Sequence, residues 1–422
     1  MLTERHLENY ADVLWWGLST ARRQRFRRND VVQIRFHAGA VRLMEILYRK
    51  LIEKGLNPVP RLSPTPDMER SFYRLSGNRQ LVFVPPGEER FAENLSGSIF
   101  LNAPESLTHL RDADPRKIGR ATVAHKPFRT VLERREAQGA YSWTLCLLPT
   151  SELARQAGLG VQAYSRQVVK ACFLDAAAPV SAWKAIHRRA GEIKRWLDAM
   201  PVARFRVESD GTDLELALGA KRRWAGISGR NIPSFELFVS PDWRGTRGVF
   251  YADQPSFRNG NIVRQVRLEF RNGRLARADA TEGGDFLKKQ LALDPGASRA
   301  GEFSLTDRRF SRIDRFMANT LLRKLRRRPR QLPHCVRVLL QQHLCRGSAA
   351  AHGNPQGQTR LQRLRPALGL RQHGEKTRDR HLGRRVTGGR LRKRGVQPLK
   401  AGQGRRAVLR ASGALMPRLR RR

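Results

Sequence analysis

Cysteine is scarce in this chain, with four residues among 422: Cys146, Cys172, Cys335 and Cys345. A disulfide scaffold needs a denser and more regular set, so we expect reduced thiols. No stretch approaches the roughly 20 apolar residues that a membrane-spanning helix requires. Residues 1–6 include charged side chains where a secretory signal needs an apolar segment. We therefore expect a cytoplasmic protein with no membrane partner.

Aromatic residues are missing from the last quarter of the chain. Residues 321–422 contain no Phe, Trp, Tyr or Ile, and only two Asp or Glu against 29 Lys or Arg. They therefore hold a large part of the formal net charge of +45. A segment with so few bulky apolar residues cannot build a core. We predict a basic, disordered tail over residues 321–422.

The first 200 residues alternate between strand and helix patterns. Residues 31–36 have the pattern of a strand, and apolar residues recur at helical spacing from Ala40 to Ile52, before Gly55. An extended segment at residues 58–60 completes a βαβ unit. Further strands are predicted at 81–84, 98–102 and 142–148, and helices at 151–157, 164–173 and 183–197. Residues 1–200 are therefore predicted to form an α/β domain with a mainly parallel sheet.

From residue 202 the apolar period changes to two. Asp210-Gly211 and Asn272-Gly273 each separate alternating apolar runs, which is the strongest short-range signal for a β-hairpin. Residues 201–320 are therefore predicted to form an antiparallel β domain that ends near a short helix.

Common catalytic motifs are absent from the sequence: it has no phosphate-binding glycine loop, CxxC pair, HExxH helix or GxSxG elbow. Two glutamates of the predicted β domain, Glu236 and Glu302, lie beside apolar strand residues. They could be exposed residues at strand ends. If they converge, their carboxylates could instead hold divalent ions. No His lies between His187 and His334, so an imidazole ligand would have to come from outside this domain.

Several segments resemble successive motifs of the aminopeptidase T and aminopeptidase S family, the dinuclear thermophilic metalloproteases. The resemblance extends over residues 8–320 and is carried by residues 211–214, 229–236, 240–241, 245–248 and 301–303. It implies an N-terminal α/β domain, a β domain with two divalent ions, and a homodimer that cleaves peptides. The ions could be Zn, Co, Mn or Mg.

The resemblance also implies roles for single residues. Glu236 and Glu302 match metal-binding glutamates of the family, and Glu302 matches the catalytic one that bridges both ions. The implied reaction is attack of a metal-activated water on the N-terminal peptide bond. Residues 212–213 and 230–231 match further signatures, for which turn hydrogen bonds are a sufficient explanation.

The match to the family breaks after residue 321. The family continues there with a Glu, then Asn-Phe-Gly-Gly and Gly-Asn-Cys-His, whereas this chain continues with Arg- and Leu-rich sequence. Codons AAA CTT CGG CGG for residues 324–327 encode Asn-Phe-Gly-Gly when read one base later. Codons CGG CAA CTG CCA CAN for residues 330–334 encode Gly-Asn-Cys-His in the same way. We therefore predict that residues 321–422 are out-of-frame sequence and that aminopeptidase activity is impaired.

A genuine tail is the alternative. Its Arg and Lys clusters could neutralise phosphates, which would make the chain a non-enzymatic nucleic-acid-binding protein. The tail has no aromatic residues for base stacking, which weakens a specific single-strand interpretation. Truncation after residue 320 distinguishes the two hypotheses, because it would abolish binding to DNA or RNA only if the tail carries it.

Overall fold

The structure, a computed structural model, describes residues 2–292, 296–307 and 311–319, and the backbone of two strands at 334–340 and 405–410. The chain divides into two units. One comprises residues 1–352 and 405–422, and the other comprises residues 353–404, which lie outside the described part. Apart from its two strands, the predicted disordered tail also lies outside the described residues.

Eleven helices lie within the described residues: α1 (Glu4–Ala21), α2 (Val41–Glu53), α3 (Pro66–Leu75), α4 (Asn78–Leu81), α5 (Glu88–Asn94), α6 (Pro115–Ala124), α7 (Lys126–Ala137), α8 (Ser151–Gln156), α9 (Val161–Cys172), α10 (Pro179–Ala199) and α11 (Gly284–Ala292). Their starts follow local chemistry. Thr3, Thr65 and Thr150 each accept a hydrogen bond from a backbone N–H in the first helical turn. Among these helices, none is both long and apolar enough to span a bilayer.

The first strands, in chain order, are β1 (Val31–Phe36), β2 (Asn57–Leu62), β3 (Leu95–Asn102) and β4 (Ser142–Leu147). After α10 come β5 (Val202–Ser209), β6 (Thr212–Ala217), β7 (Ala225–Gly226), β8 (Asn231–Ile232), β9 (Glu236–Val239), β10 (Asp242–Ala252), β11 (Ser256–Arg258), β12 (Asn261–Val263), β13 (Val266–Arg271), β14 (Arg274–Asp279) and β15 (Ala300–Asp307). The last two are β16 (His334–Leu340) and β17 (Arg405–Arg410).

Five strands form a parallel sheet in the order β2-β1-β3-β4-β8. Along β3, Ile99 and Leu101 join the main apolar cluster, and Phe100, which points to the opposite face, joins a second and smaller one. Helices α1 and α2 contribute to the main cluster. Phe91 of α5 and Leu132 of α7 pack against the smaller one. Helices therefore cover both faces, as expected for parallel strands, and the prediction of an α/β region with a mainly parallel sheet is confirmed.

The antiparallel region contains two larger sheets, ordered β14-β13-β10-β6-β5-β17 and β16-β15-β9-β7. Their neighbouring strands are antiparallel except β17, which pairs with β5 in parallel. The hairpins predicted at Asp210-Gly211 and Asn272-Gly273 are present as the pairs β5–β6 and β13–β14. The short helix predicted near the end of this region is α11. The boundary at residue 200 stays a prediction, and β8 from this part of the chain pairs with β4 of the parallel sheet.

The strand predicted at residues 81–84 is wrong. Leu81 is the last residue of α4, and it is buried. Val82, Phe83 and Val84 follow in an exposed loop, where Phe83 has a relative exposure of 63%. The edge of β1 that such a strand would need is taken by β3, since β2 and β3 pair with the two sides of β1.

Helix α1 and the segment before β8 approach each other at a pair of glycines. Gly229 has a φ of +86°, and a Cβ built there would lie 2.6 Å from the carbonyl oxygen of Gly17. We expect Gly229→Ala to lower the free energy of unfolding by more than about 3 kcal/mol, because left-handed strain and overpacking add. Denaturant unfolding measures this.

Gly158→Ala is the matched control for this effect. Gly158 also has a positive φ, +66°, but nothing lies within 4 Å of a Cβ built there. It should therefore cost only the backbone strain, about 1 kcal/mol. Equal losses in the two variants would contradict a close approach at Gly229.

Candidate active site

Glu302 lies in the interior of the sheet β16-β15-β9-β7. It belongs to β15, which has neighbouring strands on both sides, and its relative exposure is 7%. Its neighbour Phe303 points to the opposite face, where its ring lies 5.2 Å from that of Phe205 and 6.0 Å from that of Trp224. The apolar contacts of Phe303 thus fix the strand that carries the glutamate. A buried carboxylate is costly, so this position is unusual for a residue with no role beyond solubility.

Glu236 lies where the chain passes from one sheet to another. It is the first residue of β9 and is half-buried. Three residues separate it from β8, which belongs to the parallel sheet. Among them is Phe235, whose ring stacks on Trp183 at a centroid distance of 5.6 Å and an interplanar angle of 9°. Packing between the two regions therefore positions the start of β9.

The register of β9 and β15 determines how far apart the two glutamates are. Glu236 lies opposite Thr306, and Val239 lies opposite Phe303. Residues directly opposite each other project to one face, and so do residues two apart along a strand. Glu236 and Glu302 therefore share a face of the sheet. They are separated by four residues along the strand direction, which is roughly 13 Å at a rise of about 3.3 Å per residue.

This placement can be tested against the two metal ions that the resemblance implies. Two ions in a catalytic pair lie about 3.5–4 Å apart, with ligand oxygens about 2.0–2.2 Å from each. Within the described residues, no group of three or more His, Cys, Asp or Glu side chains could hold a metal ion. These residues therefore do not fit a dinuclear centre by themselves. The metal-binding roles of Glu236 and Glu302 stay predictions.

The other family signatures are engaged in structural contacts. Thr212 accepts a hydrogen bond from the backbone N–H of Tyr251 through its Oγ1, at 2.9 Å. Asp213 pairs with Arg206 at 2.9 Å, and this hydrogen bond lowers the pKa of the Asp213 carboxyl. The Arg230 guanidinium pairs with Glu136. Strand pairing and ion pairs thus account for Thr212, Asp213 and Arg230, whereas the Oδ1 of Asn231 is buried without a hydrogen-bond partner in the described part of the chain.

The sequence analysis missed a second group of ionisable side chains. It consists of Arg35, His37, Glu69 and His109, which lie near the carboxyl end of β1. His37 is close enough to the other three for their charges to act on its ring. Only Arg35 had a signal in the sequence, as a charged residue within an otherwise largely apolar strand. The other members are spread over 73 positions, and only the fold brings them together.

Comparison with known proteins gives a consistent picture. The model of the family described as "Thermophilic metalloprotease (M29)" matches residues 3–324. Aminopeptidase AmpS of Bacillus subtilis (strain 168) is 28% identical over 299 residues, which cover 66% of this chain and 73% of that protein. Aminopeptidase T of Thermus thermophilus is 27% identical over 212 residues, which cover 46% of this chain and 52% of that protein.

A solved structure has a similar fold. It is that of wild-type AmpT from Thermus thermophilus, which superposes with a TM-score of 0.63. The match covers 76% of this chain and 83% of that one, at 22% sequence identity. The α/β and antiparallel regions thus follow a fold already known.

Proposed function

Because the chain belongs to the thermophilic metalloprotease family of metal-dependent aminopeptidases, we propose that its fold is built to release N-terminal residues from peptides, with the catalytic centre at β9 and β15. The observation that carries this proposal is the buried carboxylate of Glu302, at the interior of a sheet that also holds Glu236. Both glutamates fall within the residues that the family model matches. Peptides are the substrates that this family membership implies.

The proposed cofactor is a pair of divalent ions, Zn, Co, Mn or Mg, with Glu236 and Glu302 among the ligands. Glu302 is the proposed bridging and catalytic carboxylate. The described residues do not complete such a centre, and the resemblance implies that the remaining ligands come from sequence after residue 320. There the written chain departs from the family. We therefore propose that the chain as written is impaired as an aminopeptidase.

The direct test is an assay of the purified 422-residue chain. We expect little or no release of N-terminal residues from a panel of aminoacyl-p-nitroanilides with Zn, Co, Mn or Mg added in turn. A panel is needed because the preferred N-terminal residue is unknown. Clear metal-dependent release would contradict the proposed impairment.

Two variants test whether any residual activity comes from the proposed site or from a contaminant or a different site. Glu302→Gln removes the charge of the proposed bridging carboxylate with little change in size. Glu269→Gln is the matched control, because Glu269 lies on β13, in a different sheet, where it pairs with the nearby Arg271 at 2.7 Å. Activity that survives both changes would come from a contaminant or a different site. Activity lost only in Glu302→Gln would place catalysis at β15.

Two finer predictions accompany this function, and one alternative to it remains. A homodimer is proposed from the resemblance, and a cytoplasmic location from the sequence. Nucleic-acid binding through residues 321–422 stays the alternative, since those residues lie almost wholly outside the described part.

A further inference from the structure

Three arginines border the smaller apolar cluster of the parallel sheet. The Arg35 guanidinium lies 4.4 Å from the centre of the Phe100 ring. Arg61 lies 5.4 Å from the ring of Phe91, and Arg230 lies 5.7 Å from that of Trp143. All three rings belong to this cluster or pack against it. All three cations thus lie beside aromatic rings, but they differ in burial: the Arg61 side chain is 45% exposed and that of Arg230 25%, whereas the Nε of Arg35 is buried.

Two of the three arginines have a carboxylate partner. Arg61 pairs with Glu88 at 2.8 Å, and Arg230 pairs with Glu136. Arg35 differs. Within the residues that the structure describes, its guanidinium makes no hydrogen bond or ion pair, and its Nε is buried without an acceptor. The position directly opposite Arg35 on β2 is Arg61, a second cation.

An unpaired guanidinium in this position is energetically unfavourable. Burial lowers the pKa of Arg35, although an arginine stays protonated under all ordinary conditions. A guanidinium that is removed from water without a hydrogen-bonded ion pair is unfavourable. The Glu69 carboxylate acts on Arg35 only through its charge, since no direct ion pair joins the two within the described residues. The group is therefore complementary to an anion, and its planar fork of N–H donors matches carboxylate and phosphate oxygens.

The topology places Arg35 where α/β proteins bind ligands. From β1 the chain continues through α2 to β2 on one side, and later adds β3 on the other side of β1. The strand order therefore reverses between β1 and β3. In open α/β sheets such a reversal opens a crevice beyond the carboxyl ends of the two strands. Arg35 is the second-last residue of β1, so it lies at the base of this crevice.

A second unpartnered group borders the same crevice. The His109 side chain is 10% exposed, and its Nε2 lies 2.6 Å from Glu69 Oε2. Its Nδ1 is buried and has no partner within the described part of the chain. His37 connects the ends of β1 and β3. The backbone N–H of Ala103, after β3, donates to His37 Nδ1 at 3.1 Å, and the His37 ring lies near Arg35, Glu69 and His109.

We propose that the crevice at the carboxyl ends of β1 and β3 binds a small oxyanion, a phosphate or a carboxylate, through the guanidinium of Arg35. The orphaned Nδ1 of His109 supplies a neighbouring polar contact. In the neutral ring that donates its Nε2–H to Glu69, Nδ1 is an acceptor. A protonated phosphate oxygen could donate to this nitrogen, whereas acetate, ionised at neutral pH, could not. We therefore expect phosphate to bind more tightly than acetate. This site is separate from the glutamates of β9 and β15, and the inference does not depend on the proposed peptidase activity.

The test is isothermal titration of the full chain with inorganic phosphate and, in a second series, with acetate. Salt at about 0.15 M reduces weak attraction to the many exposed arginines. We expect Arg35→Gln to weaken phosphate binding at least about tenfold, which is the usual effect of losing a charge-assisted contact. Arg230→Gln is the matched control. It removes the same charge beside an aromatic ring, but from an arginine that already has a partner, and it should leave the affinity within about twofold.

Thermal unfolding separates binding from folding. Without phosphate, Arg35→Gln should melt close to the unchanged protein, because it removes both a buried charge without an ion pair and the cation–π contact with Phe100. Phosphate should raise the melting temperature of the unchanged protein and of Arg230→Gln, but not of Arg35→Gln. If Arg35→Gln does not fold, Arg35→Lys is tested in its place, because lysine keeps the positive charge but lacks the planar fork of N–H donors. Its affinity for phosphate should fall.

The outcomes are distinct. Binding of phosphate alone, or of both anions, that depends on Arg35 supports the site and identifies the ligand class. Phosphate binding that is equal in the unchanged protein and in Arg35→Gln would overturn the proposal, and so would equal binding in Arg35→Lys if the glutamine variant is unfolded. Failure of both anions to bind at about 10 mM would also overturn it.

Discussion

Replacing Trp183 by alanine should lower the free energy of unfolding by about 3–5 kcal/mol, the range for large aromatic residues removed from a core. Trp183 is 1% exposed and belongs to α10. Its ring lies 5.9 Å from those of Trp16 and Phe173 and 5.6 Å from that of Phe235. Its Nε1–H donates to the carbonyl oxygen of Cys172 at 3.1 Å. The substitution therefore leaves both a large cavity and an unsatisfied buried acceptor.

The matched control for Trp183→Ala lies on the same helix. Trp196 is also in α10 but is only partly buried against the core. Trp196→Ala should cost no more than about 2 kcal/mol, because its site can fill with water instead of leaving a void. Guanidinium denaturation followed by far-ultraviolet circular dichroism measures both variants. Equal losses would mean that the four-ring contact does not hold α10 against the segment before β9.

Removing one base from codon 324 should raise aminopeptidase activity at least about a thousandfold, if the tail is out-of-frame sequence. The physical reason is that one missing ligand is enough to disable a metal centre, while a complete one supplies a rate enhancement of at least about 10⁶. Sequencing of the DNA across codons 310–345 comes first. A shifted frame that meets early stop codons would contradict the hypothesis without further work.

The corrected chain also allows a test of Glu302. In it, Glu302→Gln should abolish the restored activity, whereas Glu269→Gln should retain it. Loss of activity in Glu302→Gln with an unchanged melting temperature would assign the effect to the reaction and not to folding. Full activity in that variant would refute the catalytic role of Glu302. Because the written chain is expected to be inactive, only the corrected one can make this distinction.

Local sequence signals predicted much of the fold. The hairpins at Asp210-Gly211 and Asn272-Gly273 form because these pairs tolerate the backbone conformations of tight turns, and both residues Gly211 and Gly273 have positive φ. The βαβ unit of β1, α2 and β2 followed from periodicity alone. The strand predicted at residues 81–84 was wrong because local sequence does not show which strands pair. Whether an apolar run pairs with a sheet depends on long-range contacts, which no pattern within four residues can report. Here both sides of β1 are already taken, by β2 and β3.

The candidate site was predictable only in part. Resemblance selected Glu236 and Glu302, but their separation depends on the register of β9 against β15, which packing of Phe303 and Leu237 on the core side determines. A shift by two residues would keep every side chain on its face and change the spacing of the glutamates by roughly 7 Å. Sequence patterns do not resolve that difference.

The sequence by itself determined the family, the alternation of α/β and antiparallel segments, and the place where the family pattern ends. These depend on short-range periodicity, turn residues and motif order, which lie close together in the chain. Only the tertiary structure decided which distant side chains meet. It brought Trp183 against Phe235, and, among the residues that the structure describes, it gave Arg35 no direct ion pair of the kind that Arg61 and Arg230 have. Burial and ion pairing arise between residues far apart in sequence, and so they exist only once the strands have taken their order.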